Sequence, residues 1–240
     1  VLFALEKASK RNIEIELKTY DTDNDKYQIK KIIDSEVLKD LDLLVGPLIP
    51  TNFDFISNEP SLKNIPKIAP LSSRSVKFRK NVFQSVTSEN DYRNKMYEYL
   101  ETKLDSTQNI IIVADHLNHR IEKELQDRFP WAIKIRPEKT DYIIPELVDS
   151  LLIDSIPNKV ILETQSFPLI ASAISQFNAQ NTRDRDVQLF TTYRSNAYDN
   201  DNLSRKVLGG LHFTYSAGSK PLDRPIEDPF IKDYVNRFGK

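Results

Sequence analysis

The sequence predicts an α/β protein with two lobes, each a mainly parallel sheet with helices on both faces. Short apolar runs such as 109–114 alternate with amphipathic helical patterns, which is the spacing of parallel sheets. Most of the runs end in polar residues or a Gly-Pro turn, followed by a helix start. The number of strand and helix pairs is too high for one compact sheet in 240 residues.

The first lobe is organised around the apolar run Asp42–Pro50. Its apolar residues predict a strand covered on both faces, and Gly46-Pro47 ends it because glycine permits unusual backbone angles and proline removes a ladder donor. Around it we expect helices over 1–10, 27–41 and 53–62, and strands over 13–17, 65–71 and 81–86.

A second α/β series begins after the helix-start signal Thr87-Ser88-Glu89. We expect helices over 90–103, 119–129, 144–153, 168–180, 203–207 and 229–238, and strands over 109–114, 132–135, 159–162, 187–191 and 211–215. Gly209-Gly210 predicts a turn. The chain is expected to cross between lobes near 85–88 and 208–215, so that 1–87 with 212–240 form one lobe and 88–211 the other, with hinge motion between them.

Composition excludes several classes of function. The chain has no cysteine, which excludes disulfides, thiolate metal sites and cysteine nucleophiles. Five glycines form neither G-x-G-x-x-G nor a Walker-type loop, so a nucleotide cofactor is not expected. A net charge of −1 argues against nucleic acid as a partner, and basic runs such as 77–80 are interpreted as solvated loops. No run is long enough to span a membrane.

Several segments resemble type I periplasmic binding proteins. The run Asp42–Leu48, then Ile65-Pro66-Lys67-Ile68-Ala69-Pro70-Leu71-Ser72-Ser73, then Asn81-Val82-Phe83-Gln84-Ser85, is similar in order and pattern to their first lobe. Within that superfamily the chain most resembles the LpoA/LppC type of outer-membrane lipoproteins, which activate penicillin-binding proteins. Three segments carry this closer resemblance: Ser88–Arg93, Asp115–Arg120, and Thr192–Ala197 with Leu208–Phe213. Asn118 stands where that type has glycine.

The resemblance implies a bacterial envelope protein in the periplasm or anchored to the outer membrane and facing the periplasm. It also implies that the first strand lies upstream of Val1, where a lipid anchor or peptidoglycan-binding LysM modules are further expectations. The partner it implies is an envelope protein such as a peptidoglycan synthase. The alternative is a solute receptor of an uptake system, which closes on an amino acid or another small anionic ligand. Oligomeric state is left open.

Ligands of such folds bind at the carboxyl ends of strands, where polar side chains and helix starts meet. The candidate ligand-binding residues are Thr51, Asn52, Ser72, Ser73 and Arg74 in the first lobe, and Asp115, His116, Thr164, Gln165, Tyr193, Arg194 and Ser195 in the second. The two arginines are suited to hold a carboxylate bidentately. The competing interpretation is that these polar residues only cap helices.

No catalytic or metal site is expected. His116 and His119 stand close to Asp115, but no third histidine lies nearby in sequence, so solvated turn residues are the favoured interpretation. Glu163 ends a strand without a recognisable nucleophile, and neither G-x-S-x-G nor H-E-x-x-H occurs. Arg74 and Val76 replace the small residues of an ordinary amino-acid site, which favours a protein partner over a metabolite.

Overall fold

The computed structural model describes residues 2–74, 76–137, 142–218 and 229–239. The chain divides into two compact units, residues 1–86 and 87–240, called lobe 1 and lobe 2 from here on. Both are α/β with parallel sheets, as predicted. The return of 212–240 to the first lobe stays a prediction.

Lobe 1 holds a three-stranded parallel sheet in the order β1-β2-β3. Its elements are α1 (Leu2–Ser9), α2 (Lys26–Asp34), β1 (Leu44–Val45), α3 (Pro50–Ser57), a 3₁₀ turn (Pro60–Leu62), β2 (Lys67–Ala69) and β3 (Val82–Gln84). The predicted strand over 13–17 is wrong, because these residues pair with no strand in the described chain.

The lobe 1 sheet buries alternate side chains. Leu44 is buried among residues of α2 and α3, and Val82 is buried with Phe53 of α3, whereas Val45 and Phe83 are more than half exposed. Both exposed residues stand in register with Ile68 of the middle strand. Contrary to expectation, β1 is therefore not covered on both faces. The predicted Gly-Pro turn does follow it, with a cis Gly46–Pro47 bond and Gly46 at a φ of +102° that only glycine adopts readily.

Lobe 2 holds a four-stranded parallel sheet in the order β5-β4-β6-β7. Its elements are α4 (Glu89–Lys103), β4 (Asn109–Ala114), α5 (His119–Arg128), β5 (Ile133–Ile135), α6 (Pro145–Leu151), β6 (Asn158–Glu163), α7 (Phe167–Gln180), β7 (Val187–Phe190), α8 (Arg205–Gly210) and α9 (Pro229–Phe238). Ser88 caps α4 through its Oγ, which accepts from the Asp91 amide at 3.2 Å.

Both faces of the lobe 2 sheet are covered. Every residue of the central strand β4 is buried, and its side chains alternate between two cores. Ile111 and Val113 pack with residues of α6, α7 and α8, while Ile110 and Ile112 pack with residues of α4 and α5. This is why the sequence of β4 is continuously apolar rather than alternating.

Residues that follow β7 extend the sheet. The Leu189 amide donates to the Leu211 carbonyl, and the Thr214 amide donates to the Leu189 carbonyl, both at 2.9 Å. The expected strand over 211–215 is thus reduced to an isolated parallel bridge at Thr214. The predicted turn at Gly209-Gly210 is wrong, because both residues end α8. Residues 219–228, which precede α9, lie outside the described residues.

Candidate functional site

The carboxyl edge of the lobe 1 sheet brings its candidate residues only partly together. The Gln84 amide, at the end of β3, donates to the Ser72 carbonyl at 2.7 Å and to the Arg74 carbonyl at 2.9 Å. The Ser72 hydroxyl accepts from the Arg74 amide at 3.2 Å. Residues 72–74 therefore form a turn held by Gln84, a residue that sequence reasoning missed. The Arg74 side chain is exposed, and Ser73 is half-buried.

Thr51 and Asn52 do not cap α3. The helix begins with Pro50, and its cap residue is Ile49, so both residues lie inside the first turn. Thr51 is exposed, and the buried Asn52 amide donates to the Asn24 carbonyl at 3.0 Å. Proline suits the first helical position because its missing amide would have no partner there. For this reason α3 begins at Pro50, before Thr51 and Asn52, and not after them.

At the carboxyl edge of the lobe 2 sheet, Asp115 is engaged on both carboxylate oxygens. Its Oδ1 accepts from the amides of Leu117 and Asn118 at 3.0 and 3.1 Å, and its Oδ2 accepts from the Thr164 hydroxyl. The Thr164 hydroxyl also accepts from the Ser166 amide at 3.0 Å. Asp115 and Thr164 are thus brought together, with Asp115 capping the 3₁₀ turn His116–Asn118 and Thr164 bound to the turn that precedes α7. Asp115 therefore serves as a cap, and Thr164 orients it and the turn before α7.

A buried ion pair lies beside them. Arg93, from α4, donates to Glu163 Oε2 at 2.6 Å and to the Thr192 hydroxyl, and its other nitrogens donate to Glu89. The Thr192 amide donates to Glu163 Oε1 at 2.5 Å. Arg93 and Glu163 are 4% and 1% exposed, so both charges are removed from water.

Burial and pairing act in opposite directions on this pair. Burial raises the pKa of Glu163, while Arg93 and the Thr192 amide and hydroxyl lower it without cancelling the rise. Burial lowers the pKa of Arg93, but the charge and hydrogen bonds of Glu163 and Glu89 outweigh it, so the net shift is upward. Seventy positions separate Arg93 from Glu163, and no local motif links them.

The remaining candidates of lobe 2 are paired with other side chains, exposed to solvent or, in the case of Ser195, buried without a hydrogen-bond partner. Arg194 forms an ion pair with Asp199 and lies 5.1 Å from the ring centre of Tyr215, and it lowers the pKa of Asp199. Tyr193 lies over the Arg93 guanidinium at 5.5 Å. Gln165 and His116 are exposed. The Ser195 hydroxyl is buried and finds no hydrogen-bond partner in the described chain.

A polar cavity of about 330 Å³ opens between α4 and α5. It is lined by Asn90, Arg93, Asn94, Tyr97, Arg120, Glu124 and Arg128. Glu124 is its central acceptor, since it binds the Tyr97 hydroxyl at 3.0 Å and the Arg120 guanidinium. Arg128 stacks on the Tyr97 ring at 4.2 Å. Sequence reasoning missed this cavity, because its residues read as an ordinary solvated helix face.

Within the described residues, no three histidine or carboxylate side chains are placed to hold a metal ion. The helices of that same part are all too short or too polar to cross a bilayer.

No protein-family model matches the chain, and a search of curated proteins finds no match. Among solved structures, Haemophilus influenzae LpoA superposes with a TM-score of 0.54 over 96% of this chain, at 14% sequence identity. The chain has a type I periplasmic-binding-protein-like fold. It spans 41% of the LpoA chain. A fatty acid ABC transporter substrate-binding protein from Thermomonospora curvata aligns with 100% of this chain and 64% of its own, at 13% identity and a TM-score of 0.45.

Proposed function

We propose that this protein is a non-catalytic binding or regulatory protein of the bacterial envelope, which acts on a protein partner as the activators of peptidoglycan synthases do. It would work in the periplasm, free or anchored to the outer membrane. The observation that carries the proposal is that the buried carboxylates at the carboxyl edge of the lobe 2 sheet already have partners within the protein. There the carboxylates of Asp115 and Glu163 are bound by protein donors rather than left to a ligand.

A receptor for a small charged solute needs convergent, desolvated polar groups that remain unpaired until the ligand arrives. In lobe 2 the buried charges have already found partners. Arg93 uses Nε, Nη1 and Nη2 on Glu89, Glu163 and Thr192. A ligand carboxylate would have to displace one of these acceptors and leave a buried charge uncompensated, which is strongly unfavourable.

The surroundings of Glu163 also support the proposal. Glu163 is the one carboxylate of this edge whose pKa is raised by burial, a feature that also marks acids of active sites. Its neighbours among the described residues are the Arg93 guanidinium, the hydroxyls of Thr191 and Thr192 and the Thr192 amide, and each of them is hydrogen-bonded to Glu163 or to Arg93. A structural ion pair accounts for the raised pKa.

The proposal is tested with a purified bifunctional peptidoglycan synthase. We expect the chain to bind the synthase in a pull-down and to increase its rate of glycan polymerisation or crosslinking. A parallel thermal-shift screen against amino acids, short peptides, muropeptides and sugars is expected to leave the melting temperature unchanged. A ligand at a hundred times its Kd would add about 2.7 kcal/mol of stability, which such a screen detects readily.

The alternative is a solute receptor, and one observation favours it: Ser195 keeps a buried hydroxyl without a partner at the lobe 2 edge. In that case a small ligand raises the melting temperature, and Ser195→Ala removes the rise. Lys206→Gln, an exposed substitution elsewhere in lobe 2, is the control that should keep it. That pattern, together with no effect on the synthase, would replace the activator proposal by the receptor.

A further inference from the structure

Lobe 1 contains a stretch in which all charged residues are cations. Residues 60–88 hold six lysines and arginines and no aspartate or glutamate, in a chain whose net charge is −1. Of these six, Lys67 is buried in the sheet and Arg74 follows β2. The other four are Lys63, Lys77, Arg79 and Lys80, and all four are exposed.

The fold gathers these four cations at one place. Lys63 precedes β2, and residues 77–80 precede β3, so in a parallel pair both segments lie at the amino edge of the sheet. The Asn81 amide ties the two loops together, since it donates to the carbonyls of Lys63 and Asn64 at 3.3 Å. Arg79 reaches the Ser57 carbonyl at the end of α3 at 3.4 Å. We call Lys63, Lys77, Phe78, Arg79 and Lys80 the basic edge.

No carboxylate neutralises the basic edge. None of its four cations makes an ion pair within the described residues. Glu59, the nearest acid in sequence, is bound by Lys30 at 3.5 Å. Asp42 precedes β1, the strand on the other side of β2, and pairs with none of the four. The positive charge therefore faces solvent uncompensated.

Phe78 stands exposed among these cations. Its neighbour Val76 is 6% exposed and packs with Phe53, Ala69 and Val82, so the loop has an apolar core directly available. Phe78 nevertheless is 63% exposed, between Lys77 and Arg79. Val76 and Val82 both lie in this buried cluster, so the loop is anchored on either side of the exposed Phe78. An aromatic ring surrounded by lysine and arginine is the arrangement of surfaces that lie in the headgroup region of a bilayer.

We propose that the basic edge of lobe 1 binds the surface of an anionic lipid membrane. The cations lie against phosphate headgroups, and Phe78 enters the boundary between headgroups and acyl chains. Each lysine or arginine near an anionic leaflet contributes roughly fivefold to affinity. Four such contributions and one ring give reversible, salt-sensitive binding that would hold this lobe near a membrane independently of any protein partner.

The test is co-sedimentation of the 240-residue chain with vesicles of phosphatidylcholine, with and without phosphatidylglycerol. We expect binding only to the anionic vesicles, weakened by added salt. Lys77→Gln with Lys80→Gln should lower the affinity roughly thirtyfold, from two lost cations. Phe78→Ser keeps every charge and should lower it roughly tenfold through lost apolar burial. Lys123→Gln with Lys206→Gln, exposed lysines of lobe 2, removes the same charge and should keep wild-type binding.

Three results would overturn the proposal. The first is equal sedimentation with neutral and anionic vesicles. The second is equal loss in the lobe 1 and lobe 2 double variants, because binding would then follow net charge rather than the basic edge. The third is tighter binding to single-stranded DNA or heparin than to vesicles with no effect of Phe78→Ser, which would assign the surface to a soluble polyanion.

Discussion

Removing Arg93 tests the account of lobe 2 most directly. In Arg93→Leu the Glu163 carboxylate keeps its amide donor, Thr192, but loses the cation at 2.6 Å while it stays 1% exposed. Loss of one partner from a buried ion pair destabilises proteins by about 3–5 kcal/mol, because the remaining charge is left uncompensated. We expect a loss of about 4 kcal/mol in the free energy of unfolding of lobe 2.

Trp131 supplies the assay. It is the single tryptophan of the chain, and it lies edge-on to the buried Phe129 of lobe 2 at 6.0 Å. Its fluorescence therefore reports the unfolding of lobe 2 and not of lobe 1. With a urea dependence near 2 kcal/mol/M, the midpoint of the transition should fall by about 2 M. Lys95→Leu is the control on the same helix, because Lys95 forms an exposed ion pair with Glu98 and its loss should leave the midpoint unchanged.

The pH dependence of the stability of Arg93→Leu is a second test of the buried ion pair. Once Arg93 is absent, burial raises the pKa of Glu163 further above its unfolded value. The folded variant then holds a proton that the unfolded chain releases, so its stability should recover as pH falls and decline as pH rises. Wild type should show this trend more weakly, because Arg93 opposes the rise.

Two outcomes would refute the reasoning. One is a midpoint within about 0.5 M of wild type, which would mean that Glu163 is solvated or neutral in the native protein. The other is a double variant, Arg93→Leu with Glu163→Leu, that is as unstable as the two single losses added together. Partners in contact should instead couple, and the apolar pair should recover much of the loss.

Three further predictions concern lobe 2. Asp115→Ala removes the cap of two helix-start amides and should lower the free energy of unfolding by about 1–2 kcal/mol, measured by the same urea transition. Glu122 is buried and paired with Arg136, which lowers the pKa of the Glu122 carboxyl. The stability that this pair contributes is therefore present at neutral pH and is lost as the pH falls through the lowered pKa. In Arg136→Gln the melting temperature should consequently fall less steeply as the pH is lowered. Gly218→Ala places a Cβ against the Tyr92 hydroxyl and should cost about 1–3 kcal/mol, less in a Tyr92→Phe background.

Each of these has a result that contradicts it. An Asp115→Asn variant as unstable as the alanine variant would argue against capping, since asparagine also accepts from helix amides. If Arg136→Gln leaves the decrease of the melting temperature at low pH unchanged, the acid-sensitive group lies elsewhere. A fully tolerated Gly218→Ala would show that the contact with Tyr92 is absent in solution.

Short sequence patterns were sufficient to predict many of the strands and helix starts of lobe 2. The run 109–114 is apolar because both faces of β4 are covered, and the strand begins and ends where the pattern predicts. Ser88 and Pro145 mark helix starts through chemistry that acts within one turn. Where the pattern failed, distant residues decided the outcome. The alternation over 13–17 indicates a strand, yet a strand forms only if a partner edge is present, and the described chain supplies none.

The candidate site was predicted less well than the fold. Asp115 and Thr164 were chosen as candidates because each follows a strand, and β4 and β6 are parallel neighbours that bring the two side chains to one edge. Position at a strand end could not show that these groups bind each other and the backbone rather than a ligand. Glu163 was noted as the end of a strand, but its pairing with Arg93 was missed because that pairing depends on how α4 packs against the sheet. Two charged residues that pair across 70 positions form no pattern that can be recognised in the spacing of the sequence.

The unequal covering of the two sheets sets an order of local opening. Amides of β4 are bonded on both sides within a sheet packed between two cores, so their hydrogens should exchange with solvent only when the whole lobe unfolds. β1 pairs on one side only, and its Val45 faces solvent, so its hydrogens should exchange through much smaller fluctuations. Lobe 1 precedes lobe 2 in the chain, so during synthesis the sheet that opens more easily is made before the one that opens only when its whole lobe unfolds.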